Sequence, residues 1–374
     1  MSLELTEEQL LLKESVERYV ERDYTFDHRK EILASGADFS QERWEQFAEL
    51  GWLAAGLPEA DGGFGGGPVE QSIICEALGR AMALEPFVST AVMGAYALQS
   101  ADDRDAAATA LGELVEGKLH LALAYAESGG RFDTHHVATK ATQSGNQYTL
   151  RGTKIAALDA PSADKLIVSA RVGGNTRDTQ GVALFLVDRD HANVSCQRYR
   201  TSDGTVAGDL EIQDAPATLL VGEDRGLNVL EAIIERGITA RCAQAAGAMD
   251  QSFQQTLEYV KTREQFGVAI GSFQVLQHRL VDMLIAVREC QAMSLMTAHD
   301  VIGEDTTERH TQVAGAKAFV GKRARKVAQD IVQLHGGVGM TEELAIGHFF
   351  RHLTQFCSTY GTSAYHLERY VAAS

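Results

Sequence analysis

Apolar positions along the first ~115 residues recur at helical spacing and not in strict alternation. Thr6-Glu7-Glu8-Gln9 reads as a helix start, with Thr6 as the cap and Gln9 three positions on. Leu10, Leu11, Val16 and Val20 then follow at roughly helical intervals. A second helix is predicted around Trp44 to Leu50, and a third from Val69 to about Met82. Between them, the run from Pro58 to Gly67 holds one proline and five glycines among its ten residues, so it must be a loop. From Leu119 to about Gly222 the pattern changes to short apolar runs separated by turn residues. Tyr148–Gly152, Lys165–Ala170 and Val182–Val187 are the clearest strands, with Val194–Tyr199 and Leu210–Ile212 weaker. After Gly226 long helical periodicity returns. Phe273, Leu276, Leu280, Met283, Leu284 and Val287 form one stripe, and Val313, Ala316, Phe319, Val320, Val327 and Ile331 another.

The expected architecture is mainly α with a central β domain: an N-terminal helical domain over 1–118, a β-barrel or sandwich over 119–222, and a C-terminal four-helix bundle over 223–374. A chain of 374 residues is long for one core. Its 5 prolines leave room for uninterrupted helices. The net charge of −17 argues against nucleic acid as a main partner. Cys75, Cys196, Cys242, Cys290 and Cys357 are scattered, odd in number and free of CxxC spacing, which points to reduced thiols in a cytoplasmic protein. The acidic, amphipathic stretch from Met1 to Lys30 does not read as a secretory signal, and no run of 18 apolar residues predicts a membrane span.

Two stretches carry candidate chemistry. Lys261-Thr262-Arg263-Glu264-Gln265-Phe266-Gly267, followed by Gly271-Ser272-Phe273-Gln274, links one helix to the next. An arginine and polar side chains at such a junction can hold a pyrophosphate, although a solvated helix–helix turn has the same composition. Gln333-Leu334-His335-Gly336-Gly337-Val338-Gly339-Met340 ends a long helix. Its glycines suit a helix C-cap, and they also let a ligand lie against the backbone. No strand precedes it, which excludes a Rossmann fingerprint. His135, His136 and His278 lack partners at metal-ligand spacing, and neither a nucleophile elbow nor a P-loop occurs. Trp44 and Trp52 read as core.

At this spacing and in this helical–β–helical order, the two stretches resemble the acyl-CoA dehydrogenase family over the whole chain. The Leu5-Thr6-Glu7-Glu8-Gln9 opening and the Gly51 to Gly67 region fit as well. Tyr24-Thr25-Phe26-Asp27, Ile270 to His278 and Ile346-Gly347-His348 are most similar to the small subunits of pimeloyl-CoA-dehydrogenase-type two-subunit enzymes. The resemblance implies oxidation of the Cα–Cβ bond of an acyl-CoA thioester. A carboxylate takes the α proton, the β hydrogen leaves as hydride to FAD, and electrons pass to an electron-transfer flavoprotein. It also implies that Arg263, Gln265 and Phe266 meet the pyrophosphate side of an FAD held mainly by a neighbouring subunit. Gln274, Gln333, Gly336 and Gly337 would meet its adenine side, in a homo- or heterotetramer.

Elsewhere the chain departs from that pattern. Where the family shows Thr-Glu-Pro-x-Ala-Gly-Ser-Asp, this chain has Ala126-Glu127-Ser128-Gly129-Gly130-Arg131-Phe132-Asp133. Where an aromatic and Ile-Thr-Asn cover the flavin, it has Lys154-Ile155-Ala156-Ala157-Leu158-Asp159, which offers neither the flavin-facing ring nor the threonine hydroxyl. The usual base, a glutamate before Gly-Thr-Ser, is Tyr360, a poor base at neutral pH. The alternative base position falls on Gly237. Glu235 lies two residues earlier and nearly opposite on a helix, where the plain reading is a solvated or ion-paired residue. Three readings follow, in order: a subunit giving half of an FAD site to a second dehydrogenase subunit that carries the base; a self-sufficient homotetramer with Glu235 as base; and a silent scaffold subunit.

Overall fold

A computed structural model describes residues 4–145, 147–302 and 306–373. Four helices open the chain: α1 (Glu7–Asp23), α2 (Phe26–Ser35), α3 (Gln41–Glu49) and α4 (Pro68–Ala81). The expected cap is present, because Thr6 Oγ1 accepts from Gln9 N–H and Gln9 Oε1 accepts from Thr6 N–H, closing a capping box. A buried π turn (Val88–Gly94) then leads into α5 (Ala95–Gln99) and α6 (Arg104–Val115). Seven strands follow: β1 (Leu121–Ala124), β2 (Lys140–Ser144), β3 (Gln147–Leu158), β4 (Lys165–Arg171), β5 (Val182–Asp188), β6 (Val194–Arg200) and β7 (Val206–Val221). The last part holds α7 (Gly226–Thr262), the two-residue strands β8 (Glu264–Gln265) and β9 (Val268–Ala269), α8 (Gln274–Asp300), α9 (Thr306–His335), α10 (Ala345–Ser358) and α11 (Ser363–Ala373). This is the helical–β–helical order expected from the sequence.

The β segment closes on itself. Pairings β4–β5, β5–β7, β7–β3, β3–β2 and β2–β4 complete a circuit, with β1 added to β4 and β6 to the first part of β7. Closure removes exposed edges from most of the sheet. β4 and β5 are buried along almost their whole length, which is why both read as continuous apolar runs and not as alternating ones. Leu150, Leu166, Val168, Phe185, Leu210 and Ile212 fill the interior. Two bulges bend β3 against β7, and each sits beside a residue with positive φ, Asp214 at 56° and Ala156 at 51°.

By packing, the described chain forms two units. One comprises 1–35, 68–83 and 238–374; the other comprises 36–67 and 84–237. The units do not follow the three linear segments one for one, because α4 joins the C-terminal helices while α3, α5 and α6 join the barrel. In the helical unit, α4 and α7 touch backbone to backbone. A Cβ on Gly79 would lie 2.0 Å from the carbonyl oxygen of Gln244, and one on Gly247 would lie 1.9 Å from that of Glu76. Among the described residues no helix is long and apolar enough to cross a membrane. The five cysteines are free thiols, and all but Cys196 are buried.

The glycine crossing sets a clear expectation. Gly247→Ala should lower unfolding free energy by about 3 kcal/mol, because an added methyl must push two helices apart. Gly112→Ala in α6, where an added Cβ meets nothing within 4 Å, should raise it by up to about 1 kcal/mol. Urea denaturation midpoints of the two variants check both signs.

Candidate functional site

The first candidate stretch is a hairpin, not the plain helix–helix turn its composition suggested. Glu264 pairs with Ala269 and Gln265 with Val268, leaving Phe266 and Gly267 as a two-residue loop. Both loop residues have positive φ, 56° and 83°, the geometry of a type I′ turn. A phenylalanine in the left-handed region is uncommon, and here its ring is 94% exposed. It meets Phe273 edge-on at 6.3 Å, which brings Gln274, the first residue of α8, beside the hairpin. The Arg263 backbone is held at both ends: its N–H donates to Tyr259 O and its carbonyl accepts from Ile270 N–H, each at 2.8 Å. Its guanidinium is exposed. Gln265 is exposed too, with Nε2 donating to Glu264 O at 2.7 Å.

The second stretch lies next to the first. Tyr259, one helical turn before Arg263, stacks on His335 with ring centroids 4.2 Å apart and an interplanar angle of 23°. Burial holds the His335 pKa below the usual imidazole range, against a raising influence from Ile331 O. That carbonyl can only accept, so Nδ1 of His335 carries the proton, at 2.8 Å. α9 ends at His335, and a 3-10 turn over Gly336–Met340 follows. Gly336 has φ of 64°, as a C-cap requires, and a Cβ at either Gly336 or Gly337 would meet nothing within 4 Å. Space, not crowding, surrounds these glycines, and Gln333 is exposed beside them. A groove of about 410 Å³ adjoins the hairpin, lined by Leu257, Val260, Lys261, Ala269, Gly271 and Gln277. A freely presented guanidinium, exposed amides and unobstructed glycine backbone suit the pyrophosphate and adenine of FAD.

The flavin side does not fit in the same way. Glu127 is buried and saturated: it accepts from Ala138 N–H (2.6 Å), Thr139 N–H (3.0 Å), Thr139 Oγ1 (2.7 Å) and Lys154 Nζ (2.7 Å). Burial raises its pKa, but Lys154 and the hydrogen bonds outweigh that and hold the carboxyl below its usual range. Lys154 is wholly buried, and desolvation brings its ammonium down to about 8 against the pull of Glu127. Lys154 also donates to Ser169 Oγ at 3.0 Å. Ile155 N–H bonds to Ala126 O at 2.8 Å, which fastens the 126–128 segment to β3. At the bulge, Ile155 and Ala156 together oppose Asp209, whose Oδ1 accepts from Ala156 N–H at 2.9 Å. The position of the flavin-covering ring is therefore an exposed methyl, and that of the threonine is the half-buried Leu158. Neither can hydrogen-bond or stack on an isoalloxazine.

Both places for a base are also altered. Tyr360 sits in the left-handed region with φ of 56°, and its carbonyl accepts from His366 Nε2 at 2.8 Å. Gly361, at φ 118°, leaves room for that imidazole, since a Cβ there would lie 2.5 Å from His366 Nε2. At Gly237 a Cβ would lie 2.6 Å from the sulfur of Met93, so no carboxylate side chain can be placed there without moving Met93. Glu235 is 3% exposed, which removes the solvated reading of that residue. Glu231, one turn earlier, accepts from Thr134 Oγ1 at 2.9 Å. Among the described residues no group of three or more His, Cys, Asp or Glu could hold a metal ion.

Models of the acyl-CoA dehydrogenase N-terminal, middle and C-terminal domains match residues 6–118, 122–215 and 224–374. Acyl-CoA dehydrogenase FadE27 of Mycobacterium tuberculosis is 28% identical over 343 residues, 90% of this chain and 88% of the relative. The probable acyl-CoA dehydrogenase YngJ of Bacillus subtilis is 25% identical over 359 residues, 94% of this chain and 93% of the relative. Among solved structures, a chain of the ChsE4–ChsE5 complex from Mycobacterium tuberculosis superposes with a TM-score of 0.89 at 28% identity, covering 100% of this chain and 98% of that one. A chain of a Tcur3481–Tcur3483 steroid ACAD variant gives 0.87 at 28% identity, covering 98% and 97%.

The Glu127–Lys154 pair can be tested directly. Lys154→Ala should cost about 3–5 kcal/mol, because it strands a buried carboxylate. Lys154→Met combined with Glu127→Leu should recover much of that loss. Guanidinium unfolding of both variants separates the two outcomes.

Proposed function

Because the chain belongs to the acyl-CoA dehydrogenase family of FAD-dependent oxidoreductases, we propose that it acts as the half-site subunit of a heteromeric acyl-CoA dehydrogenase. It supplies the pyrophosphate and adenine side of an FAD site through Arg263, Gln265, Phe266, Gln274, Gln333, Gly336 and Gly337. A second dehydrogenase subunit supplies the flavin contacts and the carboxylate base. The observation that carries this reading is the split within one chain. The adenine-side residues are exposed and unobstructed, whereas the ring and hydroxyl positions hold Ala156 and Leu158. Tyr360 and the Met93-blocked Gly237 leave neither family base position with a carboxylate. The similarity to a chain of a two-component complex, ChsE4–ChsE5, supports the same arrangement.

The substrate in this reading is a CoA ester of a dicarboxylic, branched or steroid-derived acid, in line with the likeness of residues 24–27 and 346–348 to pimeloyl-CoA-dehydrogenase-type small subunits. Electrons leave to an electron-transfer flavoprotein, and the assembly is a cytoplasmic tetramer. A self-sufficient homotetramer with Glu235 as base is the second reading, favoured by the burial of that carboxylate at 3% exposure. A scaffold that has lost FAD altogether ranks third, since the open Arg263 and Gln333 regions give it no support.

Expressed alone, the chain should be colourless, and co-expressed with its partner subunit it should carry one FAD per pair of chains. The ratio of flavin absorbance to protein absorbance measures this. A yellow, active lone chain overturns the half-site reading. In the assembled enzyme, Arg263→Ala should weaken FAD binding by about tenfold or more, the loss of a hydrogen bond to a charged group. Glu235→Gln should leave turnover within about twofold of wild type; abolished turnover with flavin retained would install Glu235 as the base.

A further inference from the structure

Two sequence segments that the site does not use meet at one side chain. Residues 24–27 and 346–348 are more than 300 positions apart, yet Phe26 packs edge-on against His348 with ring centroids 4.9 Å apart. From the same helix, α2, Arg29 reaches Nδ1 of His348 with Nη1 at 3.0 Å. Arg29 is 1% exposed, and its Nε donates to Met82 O at 2.8 Å. A guanidinium only donates, so Nδ1 of His348 must accept and the ring proton must sit on Nε2. Nε2 faces the carboxylate of Glu342 at 3.0 Å. Glu342 is also gripped by Arg351, through Nη1 at 2.5 Å and Nη2 at 2.9 Å. The charged groups around His348 are thus Arg29 from α2, Arg351 from its own helix and Glu342 from the segment leaving the turn. Burial first, then the two guanidiniums, bring its pKa down to about 4, so the ring is neutral at pH 7.

Glu342 lies two residues past the 336–340 turn, between the turn and α10. The far end of the turn is exposed. Val338 and Met340 are 49% and 60% exposed, and Thr341 closes back on Val338 O. Its near end is fixed by the His335–Tyr259 stack. Beneath it, Gly347 lets α10 come close: a Cβ there would sit 3.2 Å from Gly339 O and 3.4 Å from Thr341 O. The Ile346-Gly347-His348 motif therefore has one residue that admits the turn and one that anchors its exit.

We propose that Arg29, His348 and Glu342 form a latch that positions the 336–340 turn, and with it Gly336 and Gly337, for the adenine-bearing half of the cofactor. This rests on the half-site reading for its ligand, but not for its mechanics. Arg29, His348 and Glu342 are positioning residues: they act through the turn and touch no cofactor. The neutral imidazole stands between a buried arginine and an exposed glutamate, with Nε2 3.0 Å from the Glu342 carboxylate. An asparagine amide offers an acceptor and a donor about as far apart as the two ring nitrogens. Alanine offers neither.

The test uses the enzyme as purified with its partner chains. Backbone hydrogen exchange over 336–344 and FAD affinity are measured for wild type, His348→Ala, His348→Asn and Glu342→Gln. His348→Ala and Glu342→Gln should speed exchange in that segment and weaken FAD binding, each about tenfold, with α8 and α9 unchanged. His348→Asn should recover both. Unchanged exchange in His348→Ala and Glu342→Gln overturns the latch, as does faster exchange with unaltered FAD affinity. Glu342→Gln, at a largely exposed side chain, keeps the test decisive if the histidine variants fail to fold. An assembly that binds no FAD at all defeats the half-site reading, while exchange still decides whether the latch exists.

Discussion

A buried carboxylate must have its lone pairs met by protein donors, and in this chain Glu127 meets that demand without help from any ligand. Much of the β unit is organised by it. Its bonds draw the 138–139 backbone and β3 toward the 125–128 segment, and Lys154 also donates to Ser169 on β4. A segment fastened in this way from several sides is held in place by the chain itself. The charge pair holds the barrel together, and on the proposed reading the residues beside it are not the ones that serve the cofactor.

That separation explains what the sequence reveals and what it hides. Element order was legible because apolar spacing distinguishes a long helix from a buried strand: α8, α9, β4 and β5 all follow their patterns. The two candidate stretches were legible because each is short and continuous in sequence. Their meeting through Tyr259 and His335 was not, since a stack across 76 positions leaves no trace in local spacing. The β8–β9 hairpin was hidden for a related reason. Phe266-Gly267 lacks the Asn-Gly or Asp-Gly signature of a type I′ turn, so the first residue gives no hint of positive φ. β1 and β2 also went unread. β1 has four residues, too few to show a period, and β2 is polar and largely exposed. Glu235 could be expected in solvent from its sequence neighbours, and only tertiary packing buries it.

Gly237 shows a different kind of concealment. A glycine in the middle of a helix reads as a minor cost in propensity. In three dimensions it is the far wall of a contact with Met93, and its lack of a side chain is what permits that contact. On the proposed reading, the family base positions without a carboxylate are thus not gaps in this chain. Met93 fills the space beside Gly237, and the turn at Tyr360 is held by His366.

The hairpin tip bears on the fate of a chain that lacks the proposed partner subunit. Phe266 presents nearly its whole ring to water from a backbone conformation that only a well-formed turn sustains. Val268, Val275, Val281 and Ile285 are also exposed, on β9 and α8. An orphan copy would display these groups to chaperones and proteases, which read exposed apolar surface as a mark of incompleteness. If the proposed partner subunit covers that surface, copies of the chain in excess of it would be the ones removed.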